Sequence, residues 1–186
     1  TGDWSSDVCS SDLAIFPLEA AIRLYREAGD TAGEYSSLID LSFAHYRLGN
    51  YRQAQQTLNQ VDRLPAAAAQ RQRQSLMQGL IWLEQGNIVR SWQQLRQVQR
   101  GALKDFAEQN RFSLALGTVF RHTGQYSRGL ATLQTVLSRS SDRIDRPRTW
   151  GEIGNIHYAL GDYTQAESAY QTALAEAKSA GYWQGL

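Results

Sequence analysis

Three histidines, one cysteine and a serine set between glycines are the side chains in this 186-residue chain that invite a catalytic or metal-binding reading. His45 and His157 each lie four residues before a glycine, Gly49 and Gly161, in a place that Trp82 and Phe120 hold before Gly86 and Gly124. That shared phase describes an aromatic column, with each ring packed at a turn and one nitrogen satisfied, better than it describes a ligand set. His122 stands elsewhere in its unit, and three histidines several units apart cannot close on one ion. The string GQYSRG, Gly124 to Gly129, approaches a nucleophile elbow, but its first glycine is one residue too far from Ser127. No phosphate-cradling loop, Rossmann glycine triplet, His-Glu-x-x-His or Asn-x-Ser/Thr sequon is present. The expectation is a chain without catalytic residues, without a metal and without a cofactor.

The elements that carry these residues are set by internal repetition. Gly49, Gly86, Gly124 and Gly161 are 37, 38 and 37 residues apart, and each is followed two residues later by Tyr51, Ile88, Tyr126 or Tyr163. Five residues after each glycine comes a small side chain, Ala54, Ser91, Gly129 or Ala166, and four further on a large one, Leu58, Leu95, Leu133 or Tyr170. Ala20 and Leu24 keep that internal spacing and predict one more copy upstream. Apolar residues recur at three and four on both sides of each glycine, which is the pattern of two amphipathic helices around a left-handed cap. In the last unit the expected helices are 147–160, with Pro147 in the first turn, and 163–180. Each unit therefore reads as an antiparallel helix hairpin in which the small residues let the two helices approach. Fixed repeat phase also assigns the aromatic residues to the core, with Trp92 and Trp183 expected to be exposed.

Asp3 to Leu13, DWSSDVCSSDL, stands outside this pattern. It resembles the translation of a sequencing-library adapter, so residues 1–13 are set aside as a non-native or disordered segment and residues 14–186 as the repeat domain. The alternative is an ordinary polar tail. Without the segment the chain loses Cys9, its only cysteine, and its net charge rises from +1 to +4. Charge is uneven along the remainder: residues 14–89 are balanced, residues 90–148 carry 11 Arg plus Lys against 4 acids, and the rest is slightly acidic. That block would attract an anionic partner, although 17 Arg against 2 Lys also fits an arginine-rich surface in general. No apolar run approaches the ~18 residues of a membrane span.

The string WGEIGNIHYALGDYTQAESAYQTAL, Trp150 to Leu174, resembles a tetratricopeptide repeat, with Trp150, Ile153, Gly154, His157, Gly161, Tyr163, Ala166, Tyr170 and Ala173 in the family's places. The resemblance implies an all-α fold, a right-handed solenoid of antiparallel helix hairpins with about four full units and partial units at both ends. The repeat is longer than the family's, as though each unit gained about one helical turn, and Gln78 and Ser91 replace an aliphatic residue and an alanine. Long units of this kind are similar to those of large bacterial signalling and regulatory proteins. The return of Ala180, Gly181 and Gly185 in the phase of Ala28, Gly29 and Gly33 leads to the expectation of a fragment of a larger protein.

By the same resemblance, the function is a protein–protein interaction scaffold whose first helices line a concave groove for a partner segment. The groove residues carried over are Tyr46 and Arg47, then Arg73, then Arg111, Thr118, Arg121 and His122, then Arg148, Asn155 and Tyr158. They do not match the lysine and asparagine clamp by which some family members hold C-terminal carboxylates. Arg73, Arg111 and Arg148 share one place near the start of three first helices, where the helix dipole disfavours a cation, so an acidic protein or peptide partner is expected. The alternative is a ligand-sensing or regulatory region of a larger bacterial signalling protein or transcription regulator. Nucleic acid and membrane are not expected as partners, and the cytoplasm is the expected compartment, with the periplasm left open.

Overall fold

The turn glycines explain the fold. Gly49 has φ of +75°, Gly86 +74°, Gly124 +72° and Gly161 +82°, a region in which a side chain is strained. At the first of them Gly49 N–H donates to the Tyr46 carbonyl (3.0 Å) and Asn50 N–H to the His45 carbonyl (2.9 Å), the two bonds of a Schellman cap. The same pair recurs at the other three turns, and also at Gly29, where φ is +68°. Each first helix thus ends on a backbone cap, to which the Thr123 hydroxyl adds bonds to the Val119 and Phe120 carbonyls before Gly124.

A computed structural model of the chain describes residues 4–140 and 145–180, with side chains from residue 14 onward. Among the described residues the elements are all helical: α1 (Trp4–Ala28), α2 (Thr31–Arg47), α3 (Tyr51–Leu58), α4 (Ala68–Glu84), α5 (Ile88–Leu95), α6 (Phe106–His122), α7 (Tyr126–Arg139), α8 (Asp145–Leu160) and α9 (Tyr163–Ser179), with short 3-10 helices at Asn59–Arg63 and Arg100–Ala102. Helix α1 takes in residues 4–13, because no glycine or proline interrupts that backbone. Trp183, Gly181 and Gly185 lie outside the described residues.

The chain divides into two compact units, Thr1–Leu103 and Lys104–Leu186. In the first, α1 packs on α2, α2 on α3 and α4 on α5, and α4 also packs against α2 and α3. Tyr35, Leu38, Leu58, Val61, Ile81 and Leu95 are almost completely enclosed there. In the second, α7 and α8 each pack on α6, α8 also packs on α7, and α9 packs on α8, around Leu114, Leu133, Ile153, Ile156 and Ala169. Burying a Val, Leu or Ile side chain fully contributes roughly 1.5 to 3 kcal/mol.

The predicted small and large columns form the seam of each hairpin. Ala54, Ser91 and Ala166 are buried, and Leu58, Leu95 and Leu133 are at most 1% exposed. A further small column lies opposite, on the first helices: Ser42, Gly79, Gly117 and Gly154. A Cβ on Gly79, Gly117 or Gly154 would lie 2.5–2.7 Å from Leu95, Leu133 or Tyr170 in turn. Ser42 Oγ donates to the Ala54 carbonyl at 2.8 Å, whereas Ser91 Oγ donates to the Gly79 carbonyl at 2.9 Å. The hydroxyl has changed helices, and the bond has reversed direction.

Four expectations are corrected. The added residues of the first two hairpins do not form a further α-helical turn. After α3 the chain passes through the 3-10 helix to an extended Leu64, a conformation favoured because Pro65 follows, and after α5 it leaves the helix so that Val98 and Leu103 are buried. Leu24 does not continue the large column, since it is 65% exposed while Ile22 faces α2. Tyr163 is likewise 65% exposed, with its ring edge-on to Tyr158 at 5.4 Å, and Trp92 is half-buried.

Candidate functional site

Two of the candidate residues of the first unit, Tyr46 and Arg73, are already engaged within the chain. Tyr46 stacks on Phe43, and its hydroxyl donates to Glu84 Oε1 at 2.9 Å, with the Tyr51 hydroxyl at 3.5 Å from the other carboxylate oxygen. Arg73 Nη2 donates to Asp40 Oδ1 at 2.8 Å. Arg47 is exposed near the end of α2. Below this face the Tyr35 hydroxyl donates to Gln74 at 2.6 Å, and Gln74 in turn donates to Asp62 at 2.7 Å. Burial holds the Tyr35 pKa above its ordinary value, the Asp62 carboxylate adds to the rise, and Arg71 opposes it.

In the second unit two candidates, Arg121 and Asn155, meet on one carboxylate, and a third, His122, lies against Arg121. Arg121 Nε donates to Glu152 Oε2 at 2.8 Å, Asn155 Nδ2 reaches Glu152 Oε1 at 3.4 Å, and Arg121 Nη2 lies 2.9 Å from His122 Nε2. Partial burial lowers the His122 pKa, the Arg121 charge lowers it further, and Glu152 counters both. The Tyr170 hydroxyl donates to Asn155 Oδ1 at 2.8 Å. Thr118 is not part of the cluster, because its hydroxyl donates to the Leu114 carbonyl of its own helix. Tyr158 is 62% exposed. Arg111 is half-buried and Arg148 exposed, and both interact within the chain.

The helix dipole opposes Arg73 and Arg111 only weakly, because each is the sixth residue of its helix and the dipole acts mainly within the first turn. The acids that pair with Arg73 and Arg121 were not singled out from the sequence. Asp40 and Glu152 both stand nine residues before a turn glycine, and that coincidence was the available signal. Asp40 meets an arginine 33 residues later in the chain and Glu152 one 31 residues earlier.

A second ionic cluster is structural in character. Arg146 is bidentate to Glu176, with Nη2 at 2.6 Å and Nε at 3.0 Å from its oxygens, and Nη1 donates to the Leu137 carbonyl. Trp150 Nε1 donates to the same carboxylate at 3.3 Å, so α8 and α9 are tied to the end of α7. His45 and His157 lie at their turns as expected, but Nδ1 of each is shielded from water and makes no hydrogen bond, with His157 Nδ1 3.7 Å from Asp162. Among the described residues no group of three His, Cys, Asp or Glu is arranged to hold a metal ion, and no helix is long and apolar enough to cross a membrane.

No curated protein matches the chain. Residues 147–180 match the family model described as tetratricopeptide repeat, a unit that in general serves as a non-catalytic scaffold for protein–protein interaction. The match spans most of α8, the Gly161 turn and α9, where the predicted and observed helices agree within two residues at either end. Among the described residues the chain is an all-helical repeat built on one glycine column, and its last hairpin is the one that is similar to a tetratricopeptide repeat.

Proposed function

We propose that the first helices receive a segment of a protein partner, and that acidic side chains of that segment are read by Arg111, Arg121 and Arg148 of the second unit. The observation that carries this reading is the cluster at α6 and α8. Arg121 and Asn155 bond Glu152 and His122 lies against Arg121, while Tyr158 stays largely in water beside the turn. A large aromatic left exposed near oriented polar groups is the composition of an interface centre. The Arg121–Glu152 pair supports specificity more than affinity, since an acidic partner has to compete with a carboxylate already present.

The test is selection of displayed peptides on the full chain, followed by binding measurements on purified hits. Enriched peptides should carry acidic residues, bind more weakly as salt rises, and lose at least about tenfold in affinity to a Tyr158→Ser/Arg148→Gln variant. Hits that bind native and variant chains equally would remove this face from the partner site.

A further inference from the structure

The first unit has a cleft of about 490 Å³ between α3, α4 and α5. Gln55 of α3 and the adjoining Asn59, Gln78 and Trp82 of α4, and Arg90, Gln93 and Gln94 of α5 line it. Its composition departs from the other hairpins. Gln78 stands where they carry Leu41, Leu116 and Ile153, and Gln55 where they carry Trp92, Leu130 and Glu167. An amide in an aliphatic place costs stability unless it is bonded. Here Gln55 and Gln78 bond each other reciprocally, at 2.9 and 2.6 Å, and Gln55 also donates to Asn59 at 2.7 Å. That satisfies part of each amide. A primary amide has two N–H groups and two lone pairs, so the Gln78 amide retains capacity for a further donor and a further acceptor.

The rest of the wall supplies one cation and no acid. The Arg90 guanidinium lies 4.7 Å from the Trp82 ring centroid, and no carboxylate pairs with it among the described residues. Stacking fixes the plane of a guanidinium and leaves its in-plane N–H groups able to bond. At the equivalent place of the next hairpin Arg128 lies over Phe120, but its guanidinium also bonds Gln125. Gln93 and Gln94 make no side-chain hydrogen bond among the described residues. An oriented cation without a counterion favours an anionic group, while amides with one donor and one acceptor face match peptide groups.

We propose that this cleft binds an extended acidic peptide segment, with one carboxylate on Arg90 and main-chain amides on Gln78, Gln93 and Gln94. The site is independent of the first-helix reading above, because its cation and two of its amides belong to α5.

The probe is an acetylated, amidated pentapeptide with glutamate at its centre and alanine elsewhere, titrated into the full isotope-labelled chain. Millimolar peptide should shift the Trp82 indole and Gln94 amide resonances. Arg90→Gln, or glutamine in place of the peptide's glutamate, should weaken binding at least about tenfold, as loss of a charged hydrogen bond does. The double variant Gln55→Leu/Gln78→Leu restores the aliphatic wall, and it should keep its helical signal and melting temperature while losing the peptide. Four results would overturn the proposal: no shift at millimolar peptide, equal binding of the two peptides, unchanged binding by Arg90→Gln, or native binding by the double leucine variant. Inorganic phosphate binding as tightly as the peptide would reveal a bare anion site and reject the peptide assignment.

Discussion

The second helix of a hairpin has eight residues in α3 and in α5, but 14 in α7 and 17 in α9. Up to the large residue of the seam the four are alike, with the same turn, a small residue at the same place and a large side chain against a small place on the first helix. They differ afterwards. In α7 Gly129, Leu133 and Val136 continue the three-and-four spacing, so continuing the helix buries the next apolar residue. In the first unit Val61, Val98 and Leu103 reach the core only when the chain leaves the helix. The amide-lined cleft lies between the two short helices, whereas the tetratricopeptide match falls on α8 and α9. Regularity and recognisability go together here, and the irregular unit is where a polar site has room.

The comparison breaks first at the seam. Leu95→Ala and Leu133→Ala remove side chains of the same column, both fully buried, and each should cost about 2 to 5 kcal/mol in denaturant unfolding. A much smaller cost for Leu95 would mean that the short helix is loosely held before its end as well as after it. Next, Ala166→Leu should destabilise by about 1 to 3 kcal/mol, because its seam place is 2% exposed, while the exposed neighbour changed by Gln165→Leu should cost little. Equal melting shifts would refute the phase assigned to α9. Gly151 in α8 has open space where a Cβ would go, unlike Gly154 one turn later. Gly151→Ala should therefore stabilise by about 0.5 to 1 kcal/mol, and a lower melting temperature would contradict the open-face assignment.

The smallest effect is set by pH. His122 has a lowered pKa in the folded chain, so the unfolded chain takes up the proton first as pH falls below about 6.5. Its contribution makes stability fall with acidification through the window between its unfolded and folded pKa values. His122→Gln should make the melting temperature decline less between neutral pH and that window. An unchanged slope would show that Glu152 offsets the burial of the ring.

Much of the fold was legible because its constraints are local. A left-handed cap selects glycine, and a close helix approach selects a small residue, so both leave a column at fixed spacing. Leu24 shows the limit, since it keeps the spacing of the column yet is largely exposed. The partners of the charged residues were less legible. Asp40 with Arg73 and Glu152 with Arg121 are pairs between neighbouring hairpins, chosen by side-chain reach across packed helices. Gln78 was visible as a departure from the repeat, but its meaning depended on Gln55, 23 residues earlier on another helix.

The hydroxyl that changes helices between Ser42 and Ser91 has a bearing on how such a gene can recombine. An exchange at the turn that joined α2 to α5 would bring two hydroxyls to one crossing, and the reciprocal product would bring none. Exchange of a whole hairpin keeps one donor with one carbonyl, so the module that can be inherited intact is the complete hairpin and not the single helix.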